Sequence, residues 1–291
     1  RDWPAALPGR VLLEQVPFFP QDDKLCGPAT LAMVAQAAGS RVTPEQLTPQ
    51  VYLPGRQGAL QTEMLAAARR QGLVAYPLAP TLQAVLSEVA SGHPVLVLQN
   101  LSLPVQPMWH YAVVVGYDRQ ARTITLHSGT TPRLVLPLAT FEHTWARSSH
   151  WALRVTAPDQ LPVTAQPDEW GVAVASLERS HPQAARTAYA TGLQRWPQHR
   201  ISLLGLGNTA YALGQRAEAA QAFEATTRAH PDFADAWNNL AQVRLELGQL
   251  PAAQQAARQA VALGGVRLAN YQTLLSSIDN KLAASQAAGT R

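Results

Sequence analysis

The one cysteine of the chain, Cys26, is followed by Gly27-Pro28-Ala29-Thr30 and an apolar run to Ala38 that stops at Gly39. Pro28 suits the first turn of a helix, where a missing N–H costs nothing, and Gly39 suits the position just past its end. The spacing predicts a helix that carries the sulfur at its N-terminus. Unpaired N–H groups there stabilise a thiolate and can draw a cysteine pKa from about 8.5 into the range of roughly 3.5–7.5. A thiolate at neutral pH is a nucleophile, and acyl chemistry then asks for a base and for a donor to the developing oxyanion. Gln21, five residues before Cys26, is the candidate donor, acting together with the backbone N–H of Cys26. The base is read as His110, which opens the strand-like run Trp109-His110-Tyr111-Ala112-Val113-Val114-Val115-Gly116-Tyr117-Asp118. A histidine at the mouth of a buried strand is held rigidly with one ring face open, and its aromatic neighbours wall it from water. The other histidines fall in turns, loops or repeat junctions.

The elements that must position these residues are helices followed by strands. Thr43-Pro44-Glu45-Gln46 starts a short helix, and further helices are predicted over 61–71 and 81–90, each closed by a glycine. Strands are predicted over 95–99, 110–117, 123–127, 133–137 and 151–155, separated by turn signals, as in an antiparallel meander. The loop 52–58 is expected to border the cleft. Residues 1–157 are therefore an α+β domain, and the proline-punctuated stretch 158–167 is a linker.

Residues 168–291 are alanine-rich and repetitive. Pro197 and Pro231, Gly214 and Gly248, Leu206 and Leu240, and Ala219 and Ala253 are each 34 apart, which is the tetratricopeptide period. An all-α repeat domain is expected, its first repeat weak around Val172, Ala185 and Tyr189, with a capping helix over 266–284. Such arrays stack pair on pair and offer a protein-binding surface.

With 47% hydrophobic and 14% charged residues in 291, the chain is globular. Its net charge of +4 includes no run of five like charges, so no nucleic-acid site is read. No stretch is apolar for long enough to span a bilayer as a helix. A lone cysteine permits neither an intrachain disulfide nor a cysteine-based zinc site, and no cofactor or metal is expected. The chain starts at Arg1, from which a removed leader, and with it membrane attachment and a bacterial envelope location (periplasmic or lipid-anchored), is an expectation.

The pairing of Gln-x-x-x-x-Cys-Gly-Pro-Ala with His-Tyr-Ala-Val-Val-Val-Gly-Tyr-Asp resembles the papain-like cysteine peptidases of the C39 type, over roughly residues 12–156. Those peptidases cleave leader peptides after double glycine. The resemblance implies a papain-like fold with Cys26 as nucleophile, His110 as base and Gln21 as oxyanion donor, acting on a peptide or protein substrate, while the repeats hold a substrate or partner protein. It also implies an Asp on the next strand. Here that stretch reads Leu126-His127-Ser128-Gly129, which leaves His127 or Ser128 to orient His110 without a fixed negative charge; three readings are open, slow catalysis, a Cys-His-His arrangement through His127, or dependence on a partner. The alternatives are a transpeptidase or cyclase working through the same thioacyl intermediate, and a non-catalytic peptide-binding adaptor.

Overall fold

The computed structural model describes residues 3–4, 6–56, 58–102 and 105–289. In chain order the first part contains β1 (Arg10–Leu12), α1 (Cys26–Ala37), α2 (Pro44–Val51), β2 (Tyr52–Leu53), β3 (Gly58–Ala59), α3 (Gln61–Arg70), β4 (Val74–Pro77), α4 (Leu82–Ala90), β5 (Val95–Asn100), β6 (Trp109–Asp118), β7 (Thr123–Ser128), β8 (Thr131–Pro137), α5 (Leu138–Ala146), β9 (Ala152–Thr156) and α6 (Pro167–Ala175). Local chemistry sets the helix starts. The Thr43 hydroxyl and the Gln46 carboxamide cap α2 reciprocally, and Thr81 caps α4.

All the paired strands run antiparallel, in the order β4-β9-β5-β6-β7-β8, with β1 added along the far half of β6. The predicted meander holds from β5 to β8. The last strand, β9, does not continue it but returns to the other side, between β4 and β5. β5 is buried along its whole length and β6 nearly so. Both faces of the sheet centre are covered, which is why these strands read as continuous apolar runs rather than alternating ones. Along β6, Tyr111, Val113 and Val115 join α1 and α3 in one apolar cluster that includes Cys26.

Division by contact puts the boundary of the two compact units between Ser176 and Leu177. The stretch 158–167, expected as a linker, is fastened to the first unit. Thr164 donates from its N–H and its hydroxyl to Glu88 (2.9 and 2.8 Å), and the N–H of Gln166 donates to the Tyr76 hydroxyl (3.0 Å). Trp170 of α6, assigned by the repeat pattern to the second domain, lies 6.2 Å from the Tyr76 ring.

The second unit is a succession of helices: α7 (Pro182–Arg195), α8 (Arg200–Ala212), α9 (Arg216–Ala229), α10 (Ala234–Glu246), α11 (Leu250–Leu263) and α12 (Leu268–Gly289). Two glycines of α8 have a packing reason. A Cβ at Gly205 would enter the Tyr189 ring, and one at Gly207 the Phe223 ring, so a flat ring lies on bare backbone where successive helices meet. Among the described residues no helix is long and apolar enough to cross a membrane.

Glu88 and Arg154 form an ion pair at 3.3 Å with both side chains buried. Removing one partner leaves an uncompensated buried charge. Glu88→Ala should therefore destabilise the first unit by about 3–5 kcal/mol, read by denaturant unfolding. His93, in the turn before β5, is half-buried. Burial, and then the nearby Arg154 charge, pulls its pKa down to about 4. A histidine freer to protonate when unfolded makes the fold lose stability as pH falls from about 6.5 towards 4. The melting temperature should drop over that window, and less so in His93→Gln.

Candidate active site

Cys26 is the first residue of α1 and is buried; its N-cap, Leu25, supplies no side-chain cap, and the first turn holds no acid. The peptide groups of that turn thus face the thiol with their dipoles uncountered by a carboxylate. Thr30 stiffens the turn by donating to the carbonyls of Cys26 (2.5 Å) and Gly27 (3.1 Å). The small hairpin β2–β3 crowds the same point. An added Cβ at Gly27 would lie 2.5 Å from the Ala59 Cβ, so only glycine lets the hairpin approach. Tyr111 fastens it from the sheet, its hydroxyl donating to the Ala59 carbonyl (3.2 Å). Burial, and after it the negative charge of a Cys26 thiolate, pushes the Tyr111 phenol well above its ordinary pKa. The expectation that 52–58 borders the cleft concerns this hairpin; Gln57 lies outside the described residues.

His110 is buried near the start of β6, and its Nε2 lies 2.8 Å from the Ser128 hydroxyl on β7. Of the two residues expected to orient it, Ser128 makes the contact. His127 is committed elsewhere: Nε2 lies 3.2 Å from the Val16 carbonyl, and Nδ1 accepts the Arg133 N–H at 3.2 Å. Those two bonds fix the proton on Nε2. Burial holds the His127 pKa low, and its ring packs on Phe18 at 5.3 Å. With both ring nitrogens of His127 engaged elsewhere, the contact to His110 falls to Ser128. Asp118 turns the β6–β7 hairpin, accepting the Ala121 N–H at 2.9 Å.

Gln21 is only 6% exposed. Its backbone N–H donates to the Gly129 carbonyl (3.2 Å), which ties its loop to the turn just after Ser128. Neither polar atom of its buried carboxamide has a hydrogen-bond partner in the structure. Sequence reasoning read Tyr111 only as a wall beside His110 and missed Ala59 and the bond between them; Gly27 is the residue that signals a close neighbour there. Among the described residues no group of three or more His, Cys, Asp or Glu could hold a metal ion.

Residues 13–153 match the Peptidase_C39 like family, and residues 173–215 and 204–266 match the tetratricopeptide repeat. The chain thus carries a C39-peptidase-like domain followed by tetratricopeptide repeats. Among solved structures it is similar to a C39-like peptidase from Bacillus anthracis (18% identity, 51% of this chain and 98% of that one, TM-score 0.44). It is also similar to the peptidase domain of Streptococcus ComA, a bi-functional ABC transporter involved in quorum sensing (20%, 49% and 98%, TM-score 0.40). Its helical part is similar to the Sgt2 TPR domain from Aspergillus fumigatus (22%, 42% and 82%, TM-score 0.39). No curated protein sequence matches the chain.

Gly27→Ala should push the hairpin off α1, lower stability by about 1–3 kcal/mol and speed alkylation of Cys26 by exposing it. Thermal melts and iodoacetamide labelling would read both effects.

Proposed function

We propose that the C39-like domain is a cysteine peptidase, with Cys26 as nucleophile, His110 as base, Ser128 as the group that orients His110, and Gln21 as oxyanion donor. The observation that carries this reading is the buried Gln21 carboxamide with both polar atoms unsatisfied. Such a group costs about 1–3 kcal/mol in the resting protein, a cost offset when a substrate oxyanion accepts its N–H. With Ser128 on Nε2, we assign the thiol proton to Nδ1.

In the reaction the Cys26 sulfur attacks the scissile carbonyl carbon while His110 holds the proton. The carbonyl oxygen takes the negative charge and is met by the Gln21 carboxamide N–H and the Cys26 backbone N–H. The C–N bond then breaks, the amine leaves with the proton from His110, and a thioester remains. Water, deprotonated by His110, attacks that thioester; the C–S bond breaks, giving a carboxylate and returning the thiol. An amine in place of water would give ligation by the same steps. The repeats, which are generally protein-interaction modules, recruit the substrate or a partner.

Cys26→Ala should abolish cleavage, and the wild-type thiol should react with iodoacetamide quickly near neutral pH. Gln21→Ala should lower kcat by roughly 10²–10³. Ser128→Asp should raise the pH limb that reports His110 by about one pH unit, because a carboxylate favours the imidazolium. Slow labelling with no cleavage of any peptide would overturn the reading. The hydroxyl in place of a carboxylate beside His110 favours one rival, a peptide-binding adaptor. That rival predicts equal partner binding by wild type and Cys26→Ala without proteolysis.

A further inference from the structure

The end of β6 away from His110 borders a second concavity. A cleft of about 670 Å³ is lined by the segment at Trp3, the start of α4, the β6–β7 hairpin, α5 and His150. At about 3.4 Å per strand residue, the length of β6 separates that hairpin from His110 by roughly 30 Å. The cleft is therefore no part of the candidate active site, and its size suits a small molecule. Trp3, Pro4, Pro80 and Leu82, none of them fully buried, give it apolar surface, backed by buried Leu138 and Trp145. The hairpin adds Arg119 and Arg122. A guanidinium donates hydrogen bonds and accepts none. Among the described residues neither guanidinium has a hydrogen-bond or ion-pair partner. Their neighbour Asp118 is taken by Arg10 (3.8 Å) and by the Ala121 N–H (2.9 Å). Glu142 is the one acid in the lining, against two arginines.

Backbone bonds hold both arginines in place. The Arg119 N–H donates to the Gly9 carbonyl (2.7 Å), which straps the hairpin to the N-terminal segment. The Arg122 N–H donates to the Arg119 carbonyl (3.3 Å), and the Arg122 carbonyl accepts the Leu138 N–H at the start of α5 (2.9 Å). The apolar side is equally fixed. Trp145 stacks on Phe141 at 5.4 Å, meets His150 edge-on at 4.7 Å and donates its indole N–H to the Trp151 carbonyl (2.9 Å). Trp3 packs on Tyr117 at 5.1 Å. With the walls already formed, little ordering opposes binding.

We propose that this cleft binds a small ring-bearing anion, with the ring against Trp3 and Leu82 and the phosphate or carboxylate oxygens on Arg119 and Arg122. The fork of a guanidinium matches either oxyanion, and the charge makes those hydrogen bonds stronger than neutral ones. A neutral ring would leave both guanidiniums without an acceptor. A bare anion would leave the apolar wall wet.

Calorimetric titration of the full chain with phenyl phosphate, benzoate, inorganic phosphate and benzyl alcohol tests this. Phenyl phosphate or benzoate should bind with a Kd of about 1 mM or below, the scale of a small fragment. The tighter of the two tells phosphate from carboxylate. Inorganic phosphate and benzyl alcohol each lack half of the recognised chemistry and should bind at least about tenfold more weakly. Arg119→Gln combined with Arg122→Asn should weaken the aryl anion by about tenfold or more. Asn suits the φ of +53° at position 122, and an unchanged melting temperature shows that the variant folds. Trp3→Ala should weaken the aryl anion but not inorganic phosphate. Arg41→Gln with Arg258→Gln removes as much charge from exposed positions elsewhere and should change nothing. The proposal is overturned if neither aryl anion binds in that range, or if inorganic phosphate or benzyl alcohol binds as tightly. It is overturned equally if the control pair loses as much affinity as the hairpin pair. Cys26→Ala protein should bind these probes as wild type does, so the outcome is independent of the peptidase reading.

Discussion

The start of α1 is a place where a β-carbon does not fit, and the arrangement around Cys26 depends on that. Gly27 lets Ala59 approach the first turn, and Tyr111 holds Ala59 from the sheet through its carbonyl. Helix, hairpin and central strand thus meet at one point, and the thiol is buried where they meet. The dense packing of protein interiors makes such a point stiff. A stiff setting is what a nucleophile needs if its orientation is to be fixed before a substrate arrives.

Much of this was legible in the sequence because it is written in local signals. Pro28 and Gly39 bracket α1, Thr43 and Gln46 announce α2, and the apolar runs around 95–99 and 110–117 mark the two central strands. The repeat half was legible because Gly214 and Gly248, both at positive φ, and Ala219 and Ala253, both buried, recur at one 34-residue offset. What escaped were elements of two to four residues, β1 to β4, whose existence depends on a partner strand and not on their own pattern. α5 escaped because it has neither a capping side chain nor a glycine at its end to mark it. The position of β9 escaped because adjacency in sequence favours a continued meander, whereas the strand crosses to pair with β4 and β5.

In the candidate site, spacing alone singled out Cys26, Gln21 and His110. The choice between His127 and Ser128 was not legible, because it turns on what else claims the His127 ring. Val16 and the Arg133 backbone claim His127, and both are remote from the motif that drew attention to it. The segment after β9 shows a similar limit. Its prolines and weak periodicity read as a tether, yet Glu88 and Tyr76 hold it through contacts some 76 and 90 residues distant in sequence.

A hydroxyl is indifferent to the direction of its hydrogen bond, since it gives and takes equally well. The imidazole of His110 is therefore gripped by Ser128 without being told which nitrogen must carry its hydrogen. A carboxylate in that position would settle the matter by accepting only. With a serine there, the choice between the two neutral tautomers passes to whatever faces the other nitrogen.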